Sequence, residues 1–218
     1  MKAWNRFKNS YLLYSFKRDP VAISSFSVLS VLVVIGILAP VVAPYNTYDT
    51  ATFDIMDAET PPSWMEGGSE MFTLGTDIQG RDLLSTMIYG LRVSLLIGIG
   101  AVLFQAFVGI VVGLVSGFFG GKLDSFLMRL ADIQFSIPYL IVAIFTSAIF
   151  KLAFGIGRYE DLAEILLIVI IGMSQWPHYA RTVRASVLGE KNKEYVEAAR
   201  VIGINRRQIM FRHILPNT

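Results

Sequence analysis

The stretch VSLLIGIGAVLFQAFVGIVVGLVSGFF, residues 93–119, contains no charged side chain. About 20 apolar residues in a helix cross the ~30 Å hydrocarbon core of a bilayer, so this stretch is long enough to span a membrane. Three further uncharged runs occupy residues 21–42, 133–150 and 165–180, and the last is shorter and is interrupted by Pro177. The sequence therefore predicts an all-α bundle with four membrane-spanning helices.

Composition supports a membrane protein and excludes several other classes. The chain is 54% hydrophobic and 17% charged, which is unusual for a soluble domain. It has no cysteine and only two histidines, His178 and His213, so no disulfide and no zinc cluster is expected. A net charge of +2 is too small to indicate nucleic-acid binding. No catalytic or metal-binding residue is predicted.

A nucleotide site is not predicted in this chain either. Gly121-Lys122 resembles the end of a phosphate-binding loop, but Ser116 replaces the first glycine and Leu123 replaces the final Ser or Thr. If ATP drives this protein, another chain has to bind it.

Charge asymmetry predicts the orientation of the spans. Lys and Arg are concentrated in residues 1–20 and 181–218, whereas the charged residues of 45–90 are nearly all acidic. Because basic residues accumulate on the cytoplasmic side, both ends are expected inside and 45–90 is expected to form an external loop. Residues 21–44 are expected to remain as a signal-anchor helix. The basic, aromatic segment 1–20 is expected to form an amphipathic helix on the inner membrane surface, or else a disordered basic tail.

Small and polar residues within the spans indicate how the helices pack. Glycines recur at every fourth position and are expected to form one stripe that lets another helix approach closely. They are Gly109, Gly113, Gly117 and Gly121. Four polar residues are candidates for a solute path, although such residues usually form hydrogen bonds between helices. They are Gln105, Gln134, Ser174 and Gln175. The charges of Asp124, Arg129 and Asp132 are expected to be interfacial anchors or a structural ion pair.

A turn-rich motif precedes the second span. It comprises Gly75, Thr76, Asp77, Gly80, Arg81 and Asp82. Its glycines permit tight turns, Thr76 or Asp77 can cap a helix, and Asp77 with Arg81 forms an i,i+4 pair. The spacing favours a well-capped helix start, and the alternative is a surface for an external partner.

Residues 190–217, the terminal segment, are polar and basic and follow the apolar runs. A short helix is predicted over 193–200, with Lys193–Glu197 and Glu197–Arg200 pairs on its surface. Ala198 and Ala199 lack bulk, so an opposing surface can approach the backbone there. Gly203 fits a left-handed C-cap.

A second short helix is predicted over 206–214, after which Pro216 ends it and suits the first turn of a new helix. The paired alanines on an otherwise charged helix favour a docking element over a solvated linker.

These residues carry a resemblance to a known family. Glu197-Ala198-Ala199, then Gly203, His213 and Leu215-Pro216 resemble in spacing the EAA loop of ABC importer permeases, with His213 where isoleucine is usual. Three further segments match the same group: 74–92, 117–129 and 176–184. The whole chain resembles the second permease subunit of dipeptide, oligopeptide and nickel importers.

The resemblance implies the type I importer permease fold, with residues 91–218 forming an incomplete transmembrane domain that has four of about six spans. It implies a bacterial inner-membrane heterodimer with a sister permease, two cytoplasmic ATPases that use ATP and Mg, and an external solute-binding protein. The terminal segment would be the coupling element that sits in a groove of the ATPase. No cofactor is expected on this chain. A fifth span is expected to begin where the chain ends.

Other functions remain open from the residues alone. The solute could be a nickel chelate or another small solute instead of a peptide. A stand-alone secondary transporter or channel would require internal symmetry or mid-membrane charges, and neither is visible. A membrane scaffold would need the terminal segment but not the motif that precedes the second span.

Overall fold

The computed structural model describes residues 11–49 and 54–218, and the chain divides into two compact units, Met1–Leu96 and Ile97–Thr218. The α-helices are α1 Tyr11–Arg18, α2 Pro20–Ile37, α3 Ala39–Val42, α4 Leu83–Phe119, α5 Gly121–Ser136, α6 Tyr139–Phe154, α7 Ile156–Glu190, α8 Glu194–Val201 and α9 Arg206–Gln208. Shorter helical turns are the 3₁₀ turns Ile55–Asp57 and Leu215–Asn217 and the π-helical turn Ile209–Ile214. No strand occurs in the described ranges, only an isolated bridge between Thr76 and Asp82, so the predicted all-α class is confirmed.

The predicted first span, 21–44, is helical but divided. Asp19 accepts hydrogen bonds from two N–H groups of the first turn, at 2.9 and 3.2 Å, and Pro20 takes the first helical position. Both features define a sharp helix start. At Leu38 the run separates into α2 and α3, because the ring of Pro40 clashes with continued helical geometry in the preceding turn.

The amphipathic helix predicted over residues 1–20 is described only from residue 11 onward. There it is helical as α1, with Lys17 and Arg18 in its last turn. Residues 1–10 of the predicted helix lie outside the described residues.

The second predicted span, 93–119, lies in α4, which is 37 residues long. The helix begins ten positions before the apolar run, at Leu83. This earlier start follows from a side-chain cap at Asp82, which the apolar pattern does not reveal.

The third predicted span, 133–150, is not one straight helix. It crosses a break at Ile137-Pro138, where α5 and α6 meet at an angle of 85°. Ile137 is extended, with φ −100° and ψ 119°, because a residue before proline is disfavoured in the helical region. Pro138 thus forms a corner inside the run that the sequence predicts as one span.

The fourth predicted span, 165–180, lies inside α7, which is 35 residues long. Pro177 does not interrupt this helix. The helix continues through this position, and the proline is fully buried.

Two described helices, α2 and α4, are long and apolar enough to cross a membrane, and the bent pair of α5 and α6 adds a third if it counts as one span. The helix α7 is long enough but is not among those that qualify by composition. Within the predicted span 165–180, the unbroken apolar stretch ends at Met173, and Ser174, Gln175 and His178 follow it.

A buried cluster in the second unit joins the terminal segment to the ends of the long helices. Its members are Leu114 from α4, Val187 from α7, and Val196, Ala199, Ile209, Met210 and Ile214 from the terminal segment. Burial of these apolar groups holds the terminal segment in a defined position, so it is a folded element and not a solvated linker.

Candidate functional site

The first helix of the terminal segment, α8, has one inward and one outward face. Val196 and Ala199 are buried at 0% and 4% exposure, whereas Glu197 and Ala198 are exposed. The two buried residues are three positions apart and therefore lie on the same helix face. The prediction that both alanines offer room to a partner is thus corrected. Ala199 packs into the chain's own core, and Ala198 is the alanine that faces outward.

The turn after α8 has the left-handed cap that the sequence predicts. Gly203 has φ +85°, its N–H donates to the carbonyl of Arg200 at 3.0 Å, and the N–H of Ile204 donates to the carbonyl of Ala199 at 3.1 Å. These two bonds form a Schellman motif. Ile204 then packs against the buried cluster, so the chain reverses with a fixed geometry.

The predicted second helix, 206–214, is helical throughout but not as one α-helix. Asn205 caps its start by accepting a hydrogen bond from the N–H of Arg207 at 3.2 Å. The helix then widens to π geometry over Ile209–Ile214, whose i→i+5 pattern is typical of functional sites. The wider turn places the buried Ile209 and Ile214 against the same cluster.

At the end of the terminal segment Ile214 is buried, His213 and Leu215 are half-buried, and the last three residues are exposed. Pro216 is the second residue of the 3₁₀ turn Leu215–Asn217 and thus lies in the first turn of a new helical element, as predicted. The backbone carbonyl of His213 accepts hydrogen bonds from Asn217 Nδ2 at 2.7 Å and from the Tyr195 hydroxyl at 3.4 Å. His213 therefore contributes to the segment's internal structure through its main chain.

Glu190, which the sequence reasoning missed, joins the segment to the end of α7. Lys193 Nζ donates to its Oε1 at 2.5 Å, and the Tyr195 hydroxyl donates to its Oε2 at 2.7 Å. Lys193 thus pairs with Glu190, and the described ion pairs include neither of the predicted pairs of Glu197 with Lys193 and Arg200. The hydrogen bond from Lys193, followed by that from Tyr195, lowers the pKa of Glu190.

A second set of polar contacts fastens α4, α5 and α7 to one another close to the segment. Arg184 on α7 binds Asp124 on α5 through Nε–Oδ1 at 2.5 Å and Nη2–Oδ2 at 2.6 Å. The hydroxyl of Ser116 on α4 donates to the same carboxylate. Lys191 Nζ donates to the carbonyl of Gly117 at 2.9 Å. Of the two interpretations of these charges, the structural ion pair is the one found at Asp124.

Asp132 also forms an ion pair, with Arg181 at 2.5 Å. Both of these side chains are largely exposed, at 65% and 48%. The guanidinium of Arg181 also stacks 4.4 Å from the ring of Phe135. This pair is a surface feature and differs in environment from the pair at Asp124.

Three of the four stripe glycines make the close helix contact that their spacing predicts. A Cβ added to Gly113 would lie 2.9 Å from Val183 Cβ, and one added to Gly117 would lie 2.8 Å from Val187 Cβ. Gly109 faces the backbone of α7 in the same way, at Trp176. The stripe therefore brings α4 into backbone contact with α7.

Gly121 does not belong to this stripe. The helix α4 ends at Phe119, and both Gly120 and Gly121 have positive φ, at +67° and +59°. Nothing lies within 4 Å of a Cβ added to Gly121. Its role is the turn into α5, because glycine adopts positive φ without steric cost.

Three of the four candidate solute-path residues lie in one cleft, and the fourth does not. Gln134, Ser174 and Gln175 line one cleft of about 180 Å³ at the corner between α5 and α6, together with His178. Gln105 is buried on α4 and does not line that cleft. The cleft combines amide, hydroxyl and imidazole groups that can donate and accept hydrogen bonds.

The motif before the second span is a compact turn. Asp77 Oδ1 accepts from the N–H groups of Gln79 and Arg81 at 2.8 and 3.0 Å, and Oδ2 accepts from Arg81 Nε at 2.8 Å. Burial raises the pKa of Asp77, but these hydrogen bonds together outweigh it and hold the pKa below its ordinary value. The predicted i,i+4 pair is present.

The cap of α4 is Asp82, not Thr76 or Asp77 as predicted. Asp82 Oδ2 accepts from the N–H of Ser85 at 2.8 Å and from its hydroxyl at 2.5 Å. The hydroxyl of Thr76 instead donates to the carbonyl of Asp57 and fastens the preceding loop.

The two glycines of the motif, Gly75 and Gly80, both have positive φ, at +81° and +75°. Gly75, Thr76, Gly80 and Asp82 are all buried, which favours the capped-start interpretation over a contact surface.

Long apolar helices, a glycine-mediated helix contact and a folded polar terminal segment define a multi-pass membrane protein. Residues 109–218 match the model of the family described as the binding-protein-dependent transport system inner membrane component, and the chain belongs to that family. Residues 2–62 match the N-terminal transmembrane domain of oligopeptide transport permease C. The family resemblance seen in the sequence is thus confirmed.

Individual relatives agree with the family match. The chain is 36% identical over 204 residues to a dipeptide transport system permease protein of Haemophilus influenzae, covering 94% of this chain and 65% of that protein. It is 37% identical over 203 residues to a di/tripeptide transport system permease protein of Pseudomonas aeruginosa, covering 93% and 63%. A dipeptide transport system permease protein of Escherichia coli K12 is 39% identical over 202 residues, with 93% and 63% covered. The chain spans less than two thirds of the length of these relatives.

Proposed function

We propose that this chain belongs to a permease subunit of an ATP-driven importer that moves dipeptides or oligopeptides across the bacterial cytoplasmic membrane. Family membership and the peptide permeases among its relatives support this function. The observation that carries it is the terminal segment, which is folded onto the ends of α4 and α7 while Glu197 and Ala198 face outward.

The proposed partners are a sister permease, two cytoplasmic ATPases that bind ATP and Mg, and an external solute-binding protein. The charge asymmetry supports an orientation with both ends of the chain inside and residues 45–90 outside. Residues 91–218 would then be the part of the subunit that works with the ATPases.

The outward face of the terminal segment has the properties of a protein-binding surface. Val201 and Ile202 are 88% and 78% exposed beside the small side chain of Ala198. Exposed apolar side chains next to a backbone that can be approached closely suit insertion into a groove of a partner. In the proposed complex that partner is the ATPase.

The contacts behind this surface suit the transmission of movement. The buried cluster, the Schellman turn at Gly203 and the hydrogen bonds of Glu190 fix the segment to α7. Displacement of the segment by the closing ATPases would therefore move α7 as a rigid element. Since α7 lines the cleft at Gln134, Ser174 and Gln175, that movement would reach the proposed solute path.

The decisive experiment introduces Ala198→Arg into the full-length subunit co-expressed with its partners. A large cation on the outward face should abolish recovery of the ATPases and solute uptake, while membrane insertion is retained. Ala153→Arg is the matched control, because this alanine is also exposed but lies in the last turn of α6, before the start of α7 and far along the chain from the terminal segment. Gly203→Pro should likewise abolish transport while the subunit still inserts, because it removes the N–H that donates to Arg200. Unchanged ATPase recovery with Ala198→Arg would contradict the coupling role.

A further inference from the structure

A cleft of about 480 Å³ lies between the end of α4 and the terminal segment, and it has no role in the proposed coupling. Its lining residues are Phe118, Phe119, Arg200, Ile204, Arg206 and Ile209. The rings of Phe118 and Phe119 meet edge to face, with centroids 5.3 Å apart. The cleft thus combines an apolar side from α4 with two guanidinium groups from the terminal segment.

The two arginines carry charge that this chain does not neutralise within its described residues. Arg200 and Arg206 are exposed, and neither occurs in an ion pair of the described ranges. Guanidinium groups bind phosphate through two parallel hydrogen bonds, and a low-dielectric wall beside them strengthens the attraction. An anion is therefore the chemical complement of this side of the cleft.

The position of the cleft along α4 indicates which anion. From Val93 to Phe119 the helix carries no charge, and at 1.5 Å per residue this stretch is about 40 Å long. That length exceeds the ~30 Å hydrocarbon core, and the helix ends at Phe119 with Lys122 just beyond, which suits a Phe118–Phe119 end at the headgroup region. Phe119 is 52% exposed there and offers an apolar surface to an acyl chain.

We propose that this cleft binds the headgroup of an anionic phospholipid. Arg200 and Arg206 hold the phosphate, and Phe118 and Phe119 contact the first methylene groups. The bound lipid then connects the end of a membrane span with the terminal segment. This site goes beyond the coupling role, since it uses the side of the segment that faces the membrane end of α4.

The test is native mass spectrometry of the full-length subunit in detergent, titrated with phosphatidylglycerol or with phosphatidylcholine of the same acyl chains. Phosphatidylglycerol should bind more tightly. Arg200→Gln with Arg206→Gln should lower its affinity about thirtyfold, because each surface cation contributes about fivefold. Arg207→Gln with Arg212→Gln removes the same charge outside the cleft and is the control, with an expected change of less than about threefold, since such charges are screened.

Two further measurements distinguish loss of the lipid site from misfolding of the variant. Arg200→Lys with Arg206→Lys keeps the charge and should retain most of the binding. In the unmodified protein, phosphatidylglycerol with a photoreactive acyl chain should label Phe118 or Phe119. Equal binding of both lipids, equal effects of the two Gln pairs, or labelling confined to other helices would overturn the proposal. So would loss of ATPase recovery with unchanged lipid binding in Arg200→Gln with Arg206→Gln, since the cleft would then receive the ATPase.

Discussion

Asp124 and Arg184 are 60 positions apart in the chain, yet they form a two-point ion pair with distances of 2.5 and 2.6 Å. Their side chains are only 15% and 33% exposed, and Ser116 donates to the same carboxylate. The pair therefore joins the start of α5 to the end of α7, with α4 attached through a hydroxyl. This junction lies beside the buried cluster that holds the terminal segment.

We expect Asp124→Asn to destabilise the second unit by about 2 kcal/mol, since the variant leaves a half-buried guanidinium without its charged partner. Equilibrium unfolding in mixed micelles measures this change. Asp132→Asn is the matched control, because the Asp132–Arg181 pair is exposed and such pairs contribute about 0–1 kcal/mol. Equal losses in the two variants would show that the Asp124 pair has no special structural role.

Gly113→Ala should weaken the contact between α4 and α7. The added Cβ would lie 2.9 Å from Val183 Cβ and also against the carbonyl of Ala180, so the helices have to separate. We expect a loss of about 2 kcal/mol, typical of overpacking. Thermal unfolding of the detergent-solubilised subunit measures it.

Gly98→Ala is the control for that substitution, since Gly98 lies in the same helix and has nothing within 4 Å of its added Cβ. It should be neutral or stabilise by up to about 1 kcal/mol, because alanine loses less backbone entropy in a helix. A stabilising Gly113→Ala would contradict the backbone contact.

The sequence predicted the features that depend on local pattern. Uncharged length located the helices, and Gly203 was recognised as a left-handed cap because the residues around it fit a helix end. The predicted glycine stripe is found at Gly109, Gly113 and Gly117, which lie within α4. Gly121 fails because α4 ends at Phe119, and a four-residue spacing does not reveal where a helix stops.

The features that the sequence did not predict depend on tertiary contacts. Ala198 and Ala199 are adjacent and identical, and only the packing of Val196 and Ala199 against α4 and α7 shows which one faces outward. The contacts of Glu190 are not predicted, because its partner Tyr195 lies beyond the end of α7. The corner at Ile137 was missed because an apolar run with a proline fits a helix start as well as a break.

Gly203→Ala should destabilise the terminal segment through backbone conformation alone. Nothing lies within 4 Å of the added Cβ, so the cost comes from φ +85°, which disfavours residues with a side chain by about 1 kcal/mol. Hydrogen exchange of the Ile204 amide, which donates to Ala199, should accelerate. Gly203→Asn should have a smaller effect, since asparagine tolerates this region better, and equal effects of Ala and Asn would argue against a conformational cause.

Titration of Asp77 provides a separate test in the first unit. Its pKa is lowered in the folded protein because hydrogen bonds from Gln79 and Arg81 outweigh the opposing effect of burial. Because the pKa is lowered, the ionised form stabilises the turn at pH values above 3.8, the ordinary pKa of an aspartate. This stabilisation is lost as the pH falls through the pKa of the folded protein. Carbon-13 NMR of the aspartate carboxyl groups in micelles should show a midpoint below 3.8 for Asp77.

Arg81→Gln should move that midpoint upward, because the variant removes the guanidinium but keeps the backbone N–H that also donates to Asp77. The shift should be partial for the same reason, since the Gln79 N–H remains as well. Glu66→Gln, at an exposed carboxylate of the preceding loop, serves as the control and should leave the Asp77 midpoint in place. A midpoint at or above 3.8 in the unmodified protein would mean that burial dominates at this turn, and the Asp77–Arg81 contact would then not be what fixes the approach to α4.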